Sequence, residues 1–133
     1  MQPTIVLENK TATLVYHPEQ RIVHHTFHQF VFGEAFRAIL TTGAELMEKH
    51  RATKWLSDDR GNSALSEADA DWAVKTWQPR VMKAGWKYWA VVLPARVVGQ
   101  MNMQRWLKLY SDQGITAQVF SEPTAALAWL ESV

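Results

Sequence analysis

The densest run of chemistry-bearing residues in the chain is Asp58-Asp59-Arg60-Gly61-Asn62-Ser63. Adjacent carboxylates can do acid–base work where one is shielded from water and its pKa raised. At the end of a strand, however, neighbouring side chains leave on opposite faces, so two such carboxylates point apart. The plainer account is that the run closes a turn, pairs a carboxylate with Arg60 and satisfies backbone amides. That account outweighs catalysis by Asp58, Asp59, Arg60 or His28, and no residue is assigned as catalytic. Asp58, Asp59, Arg60, Asn62 and Ser63, with Arg96 and Gln100 from a later segment, remain as a candidate binding loop. Ser63 and Ser66 are the hydroxyls open to phosphorylation, and a phosphate on Ser66 would be favoured by a helix N-terminus. A simple N-cap explains Ser66 without any modification.

His24, His25 and His28 form a second cluster. On a strand, His24 and His28 share a face but stand about 13 Å apart along it. Two imidazoles on one zinc need bonds of about 2.0–2.1 Å, so no metal site is expected here, and a satisfied sheet histidine is. The seven tryptophans are the oddest feature of the composition. Each buries a large area and needs a partner for its indole N–H, so most are expected between helix and sheet. The sharper alternative is an aromatic-lined pocket for an apolar small molecule. No phosphate-binding glycine loop, nucleophile elbow or zincin helix occurs, so neither a cofactor nor a hydrolytic motif is indicated.

Residues 4–8, 12–17 and 21–27 are rich in β-branched and aromatic side chains and separated by short turns, which predicts three antiparallel strands. The periodicity then changes. Phe32, Phe36, Ile39, Gly43 and Leu46/Met47 recur at spacings of three and four, predicting an amphipathic helix over 31–51. Lys54 to Asp58 reads as a strand ended by the loop above. Ser66-Glu67-Ala68-Asp69 starts a second helix that runs to Gly85, with a kink expected at Pro79. Tyr88 to Leu93 is apolar on both faces, as a central parallel strand is. A helix over 99–111, a strand over 115–120 and a final helix opened by Pro123 complete the order βββαβαβαβα. Alternation of strands with helices requires crossovers and a parallel sheet. The expected fold is therefore a single α/β domain over residues 1–133, its mixed sheet parallel at the centre with antiparallel N-terminal strands. Ligands in open α/β sheets gather beyond the carboxyl ends of the strands, which here means the 58–63 loop and residues 96–100.

The composition narrows the function classes. A length of 133 residues suits one core, and a hydrophobic fraction of 47% is that of a globular chain. A net charge of +1 gives no electrostatic footprint for nucleic acid. The absence of cysteine excludes disulfides, thiol nucleophiles and thiolate metal sites. No stretch is apolar enough to span a membrane or to act as a signal peptide, so a cytoplasmic location is expected.

In element order the chain resembles the SpoIIAA-like superfamily, which holds STAS domains and CRAL-TRIO lipid-binding domains. The segments 54–62 (KWLSDDRGN), 85–94 (GWKYWAVVLP) and 126–130 (ALAWL) look like bacterial proteins described only as STAS-like. That resemblance implies a non-enzymatic regulatory or protein-interaction domain in signalling, with a protein partner or a homodimer. Anti-sigma-factor antagonists of the family carry a phosphorylatable serine in an Asp-Ser-x-Gly turn. The turn here, Asp58 to Ser63, has a longer and different arrangement. The alternative implied by the lipid-binding relatives is a small-molecule or lipid site built from the tryptophans.

Overall fold

The computed structural model describes residues 2–62 and 65–133, with Val98 described by its backbone alone. Strands β1 (Thr4–Glu8), β2 (Ala12–His17), β3 (Ile22–Phe27), β4 (Lys54–Asp58), β5 (Tyr88–Val92) and β6 (Thr116–Phe120) form one six-stranded sheet in sequential order. β1, β2 and β3 pair antiparallel; β3 to β6 pair parallel. The mixed α/β fold expected from the sequence is the fold observed. β5 lies between β4 and β6, and four of its five residues are buried.

Three helical connections carry the chain between the parallel strands. They are α1 (Gly33–His50), the run α2 (Glu67–Trp72), π-turn (Ala73–Trp77) and α3 (Gln78–Ala84), and α4 (Val97–Asp112). Because each crossover takes the same hand in a sequentially ordered sheet, all three must cover the same face. Ala12, Leu14, Val23, Phe27, Trp55, Trp89 and Val91 point toward them from the strands and form the main core with Phe36, Met47, Val81 and Tyr110. Helix α5 (Pro123–Ser132) follows β6 and joins no two described strands, so that constraint does not apply to it. It packs on the opposite face, where Ala126 and Leu130 meet Ile22, Leu56, Ala90 and Val92 in a second, smaller core. Lys54 ties this helix down from below, its Nζ donating to the carbonyls of Leu130 at 2.6 Å and Val133 at 2.7 Å.

Local rules place the helix ends. Ser66 caps α2 by accepting from the Asp69 amide at 3.2 Å, as the sequence predicts, and its hydroxyl donates to Asp69 Oδ2 at 2.7 Å. Asp69 also accepts from the Gly33 amide and from Arg37, so it clamps the start of α1 to the start of α2. Burial pushes its pKa up, but these three donors outweigh burial and hold the carboxyl below its ordinary value. Pro79 sits just after a widened turn rather than inside a regular α-helix. In a regular α-helix its ring would crowd the carbonyl four residues back and leave that carbonyl unbonded. Here the preceding turn is widened to π geometry, with the Gln78 amide reaching the Ala73 carbonyl, and Pro79 starts α3 where no amide is required.

Candidate functional site

The sheet face beneath α2 and α4 carries a repeated device. In the register of the parallel strands, Val23, Trp55 and Trp89 form one row, and His25, Ser57 and Val91 the next row on the same face. Each tryptophan of the first row reaches one row forward onto the preceding strand. Trp55 Nε1 donates to His25 Nδ1 at 3.0 Å, and Trp89 Nε1 donates to Ser57 Oγ at 2.8 Å. An indole nitrogen can only donate, so His25 Nδ1 must be a bare lone pair. The imidazole proton therefore lies on Nε2, which donates to Asp59 Oδ1 at 2.8 Å. His25 is 4% exposed and Asp59 5%, so this Trp–His–Asp chain is a buried polar unit with its donor sequence fixed.

The loop after β4 holds Asp59 in place through its backbone. The Asp59 amide extends the β4–β5 ladder by donating to Val92, and the Asn62 amide closes a turn onto the Asp59 carbonyl, both at 3.0 Å. Gly61 lies so close to β3 that a Cβ there would stand 2.4 Å from the Phe27 carbonyl oxygen, so only glycine lets the loop approach the strand end. Asp58, one residue earlier, leaves on the other face. It takes a bidentate bond from Arg60, Nε to Oδ1 and Nη2 to Oδ2, each at 2.9 Å. The two carboxylates do point apart, as strand alternation requires.

Above these residues the helices leave a cavity of about 80 Å3. A single water needs roughly 10–15 Å3 of such space, so the cavity has room for a small molecule. Trp55 and Trp89 floor it, α1 contributes Phe36 and Leu40, and Met103, Trp106 and Tyr110 enter from α4. The widened π-turn supplies Ala73 and Trp77, so the irregularity forced by Pro79 shapes the cavity wall. The indole of Trp77 donates to the Leu40 carbonyl at 2.8 Å, which fixes that wall against α1. Ser57, Asp59, Asn62 and Asn102 are among the polar residues of its lining. Asn62 is 7% exposed, and its Oδ1 has no hydrogen-bond partner among the described residues. Burial raises the pKa of Tyr110, so its hydroxyl keeps its proton. A second recess, lined by Glu67, Arg105, Leu65, Ala70, Asn102 and Trp106, shares its last four residues with the cavity.

Neither a protein-family model, nor a curated protein, nor a solved structure matches this chain. The site is therefore defined by its geometry alone.

Of the residues that the sequence singles out, the structure brings Asp59 and Asn62 to the cavity. Asp58 and Arg60 form their ion pair outside it. Arg96 is exposed just before α4, and Gln100 turns back to the Pro94 carbonyl at 3.1 Å. Ser66 is engaged as the cap of α2, and Ser63 lies outside the described residues. His28 is exposed and bonds Thr13, and His24 stacks on His17 on the sheet face opposite the cavity. Among the described residues no group of three His, Asp or Glu side chains is arranged to hold a metal. No helix among them is long and apolar enough to cross a membrane. His25, Ser57, Asn102 and Tyr110 line the cavity without having been assigned to a site from the sequence. For His25 a signal existed: it alone of the clustered histidines shares its strand face with Val23 and Phe27, the core face.

Proposed function

We propose that this chain is a small-molecule-binding domain whose site is the aromatic cavity between the sheet and helices α1, α2 and α4. The observation that carries the reading is the buried, unpartnered carbonyl oxygen of Asn62, a residue that lines that cavity with Asp59. A buried acceptor without a donor costs on the order of 1–3 kcal/mol, and a ligand that donates to it removes the cost. Apolar walls with a few converging polar groups are the usual make-up of such a site. His25 supports the site by positioning. Both its nitrogens are committed, so it orients Asp59 and has no lone pair or proton left for a substrate. That is why binding, with no chemical step, is the reading offered.

The regulatory, protein-interaction role implied by the SpoIIAA-like resemblance stands second. It draws support from Arg60, whose half-exposed guanidinium is held rigid by Asp58 at the surface of the same loop. In that case the loop joins the cavity to a partner-facing surface, since Asp59 and Arg60 are adjacent in the chain.

Ligand-observed NMR with indole and p-cresol tests the first reading. Both should bind the wild-type protein and shift its indole N–H signals. Ala73→Met, which places a long side chain in the lumen from the π-turn, should abolish both effects. Binding that survives Ala73→Met unchanged would place the ligands elsewhere and remove the cavity as the site.

A further inference from the structure

Asp59 is the only carboxylate among the described residues that line the cavity, and no Lys or Arg lines it with Asp59. Arg60, the neighbouring cation in the chain, is committed elsewhere. Arg60 turns to Asp58 on the opposite face, with both of its contacts at 2.9 Å. His25 gives Asp59 one hydrogen bond, to Oδ1, while its Nδ1 accepts from the Trp55 indole. Among the described residues no donor reaches Asp59 Oδ2. Three residues on, Asn62 Oδ1 is buried and unpartnered as well. Asp59 Oδ2 and Asn62 Oδ1 are thus two acceptors without a donor among the described residues, on two residues that line the same cavity.

The rest of the wall is aromatic. Trp77 meets Trp55 edge-on, with centroids 5.3 Å apart and planes at 85°, and Tyr110 meets Trp89 at 5.2 Å and 77°. The π faces of such rings attract a cation, most strongly where it is desolvated. A carboxylate held among apolar groups without a counter-charge is unfavourable, and a cation beside it reverses the balance.

From this arrangement we infer that the cavity takes a small organic cation, an ammonium or amidinium, whose N–H groups donate to Asp59 Oδ2 and Asn62 Oδ1 while its carbon skeleton packs among the indoles. An anion would face the Asp59 charge, and a hydrocarbon would leave both oxygens unpaired. The inference rests on the reading of the cavity as a ligand site and assigns the chemistry of what enters it.

Benzylamine, benzyl alcohol and benzoate share one ring and differ in charge, so at pH 7.5 they separate the two claims. Titrated into the wild-type protein and followed by tryptophan fluorescence, benzylamine should bind at least tenfold more tightly than benzyl alcohol, and benzoate most weakly. In Asp59→Asn the amide oxygen still accepts from His25 Nε2, so the fold has a substitute partner. There the preference for the amine should fall to near parity while the alcohol still binds. Benzyl alcohol or benzoate matching benzylamine on the wild type overturns the cation assignment and leaves the cavity standing. So does a preference that persists undiminished in Asp59→Asn. Failure of all three to bind overturns both. The wild-type ranking decides by itself if Asp59→Asn does not fold.

Discussion

At the scale of single residues, the Trp55–His25–Asp59 chain shows how one side chain's chemistry fixes its neighbours. The indole determines the imidazole tautomer, and the tautomer determines which hydrogen bond Asp59 receives. Trp55→Phe keeps the ring in the core but removes the donor, leaving His25 Nδ1 buried and unpaired. The expected cost is about 1–3 kcal/mol, the range for an orphaned polar group. The loss should appear as a lowered denaturation midpoint, together with a change in the His25 ring-nitrogen shifts away from a pure Nε2–H form. An unchanged tautomer in Trp55→Phe would mean that Asp59 alone sets it. This scale is also where the sequence is least legible. Ser66 capping its helix and Asp58 pairing with Arg60 involve residues two or three apart, and local rules find them. His25 and Asp59 are 34 positions apart and meet only because β3 and β4 are parallel neighbours in one register. No local pattern encodes that meeting.

At the scale of elements, the fit of α1 on the sheet depends on a residue that helix propensity alone would exclude. Gly43 lies in the middle of α1, where glycine costs roughly 0.5–1 kcal/mol relative to alanine. The reason for it is Trp55. A Cβ at position 43 would stand 2.1 Å from Cη2 of the indole and 2.5 Å from Cζ3. The ring has little freedom to retreat, since its nitrogen is bonded to His25 and it packs against Trp77 in a T-shaped contact. Gly43→Ala should therefore destabilise the protein by about 1–3 kcal/mol, the range for overpacking, against the sign that propensity gives. Urea denaturation checks this, and a midpoint raised by the substitution would show that the ring moves freely. The hydrophobic spacing reveals that position 43 faces inward, and hence the helix and its buried face are readable from the sequence. What cannot be read there is the approach distance between α1 and β4. The π-turn falls in the same class: Pro79 signals an irregularity, but whether the helix kinks or widens depends on what packs against it.

At the scale of the whole molecule, the sheet has two unlike faces, and the acid response follows from the barer one. The helix-covered face holds the cavity, whereas α5 covers only part of the other. β2 and β3 turn His17 and His24 onto that second face, stacked with centroids 5.4 Å apart and bonded at 3.1 Å. Burial lowers the pKa of His24 from 6.5 to about 4, with the neighbouring His17 adding to the effect and Asp58 opposing it. Burial also lowers His17, against the raising influence of Glu131. In the unfolded chain His24 takes up a proton as pH falls through its ordinary value near 6.5, while in the folded chain it does so only near 4. Between these values the unfolded state binds more protons, so stability rises with pH across that window and is lost on acidification through it. The loss from His24 is on the order of 3 kcal/mol at full development, since each tenfold change in proton affinity is worth about 1.4 kcal/mol. Asp69, held below its ordinary value, adds its own loss only at lower pH, where carboxylates take up protons. Chemical denaturation at a series of pH values between about 7 and 4, the window set by the free and buried imidazole, should show the midpoint falling throughout. His24→Gln keeps a group able to hydrogen-bond His17 but removes the titration, and its midpoint should fall less steeply over the same range. Parallel slopes for the two proteins would transfer the acid sensitivity to another group, with His17 the first to examine.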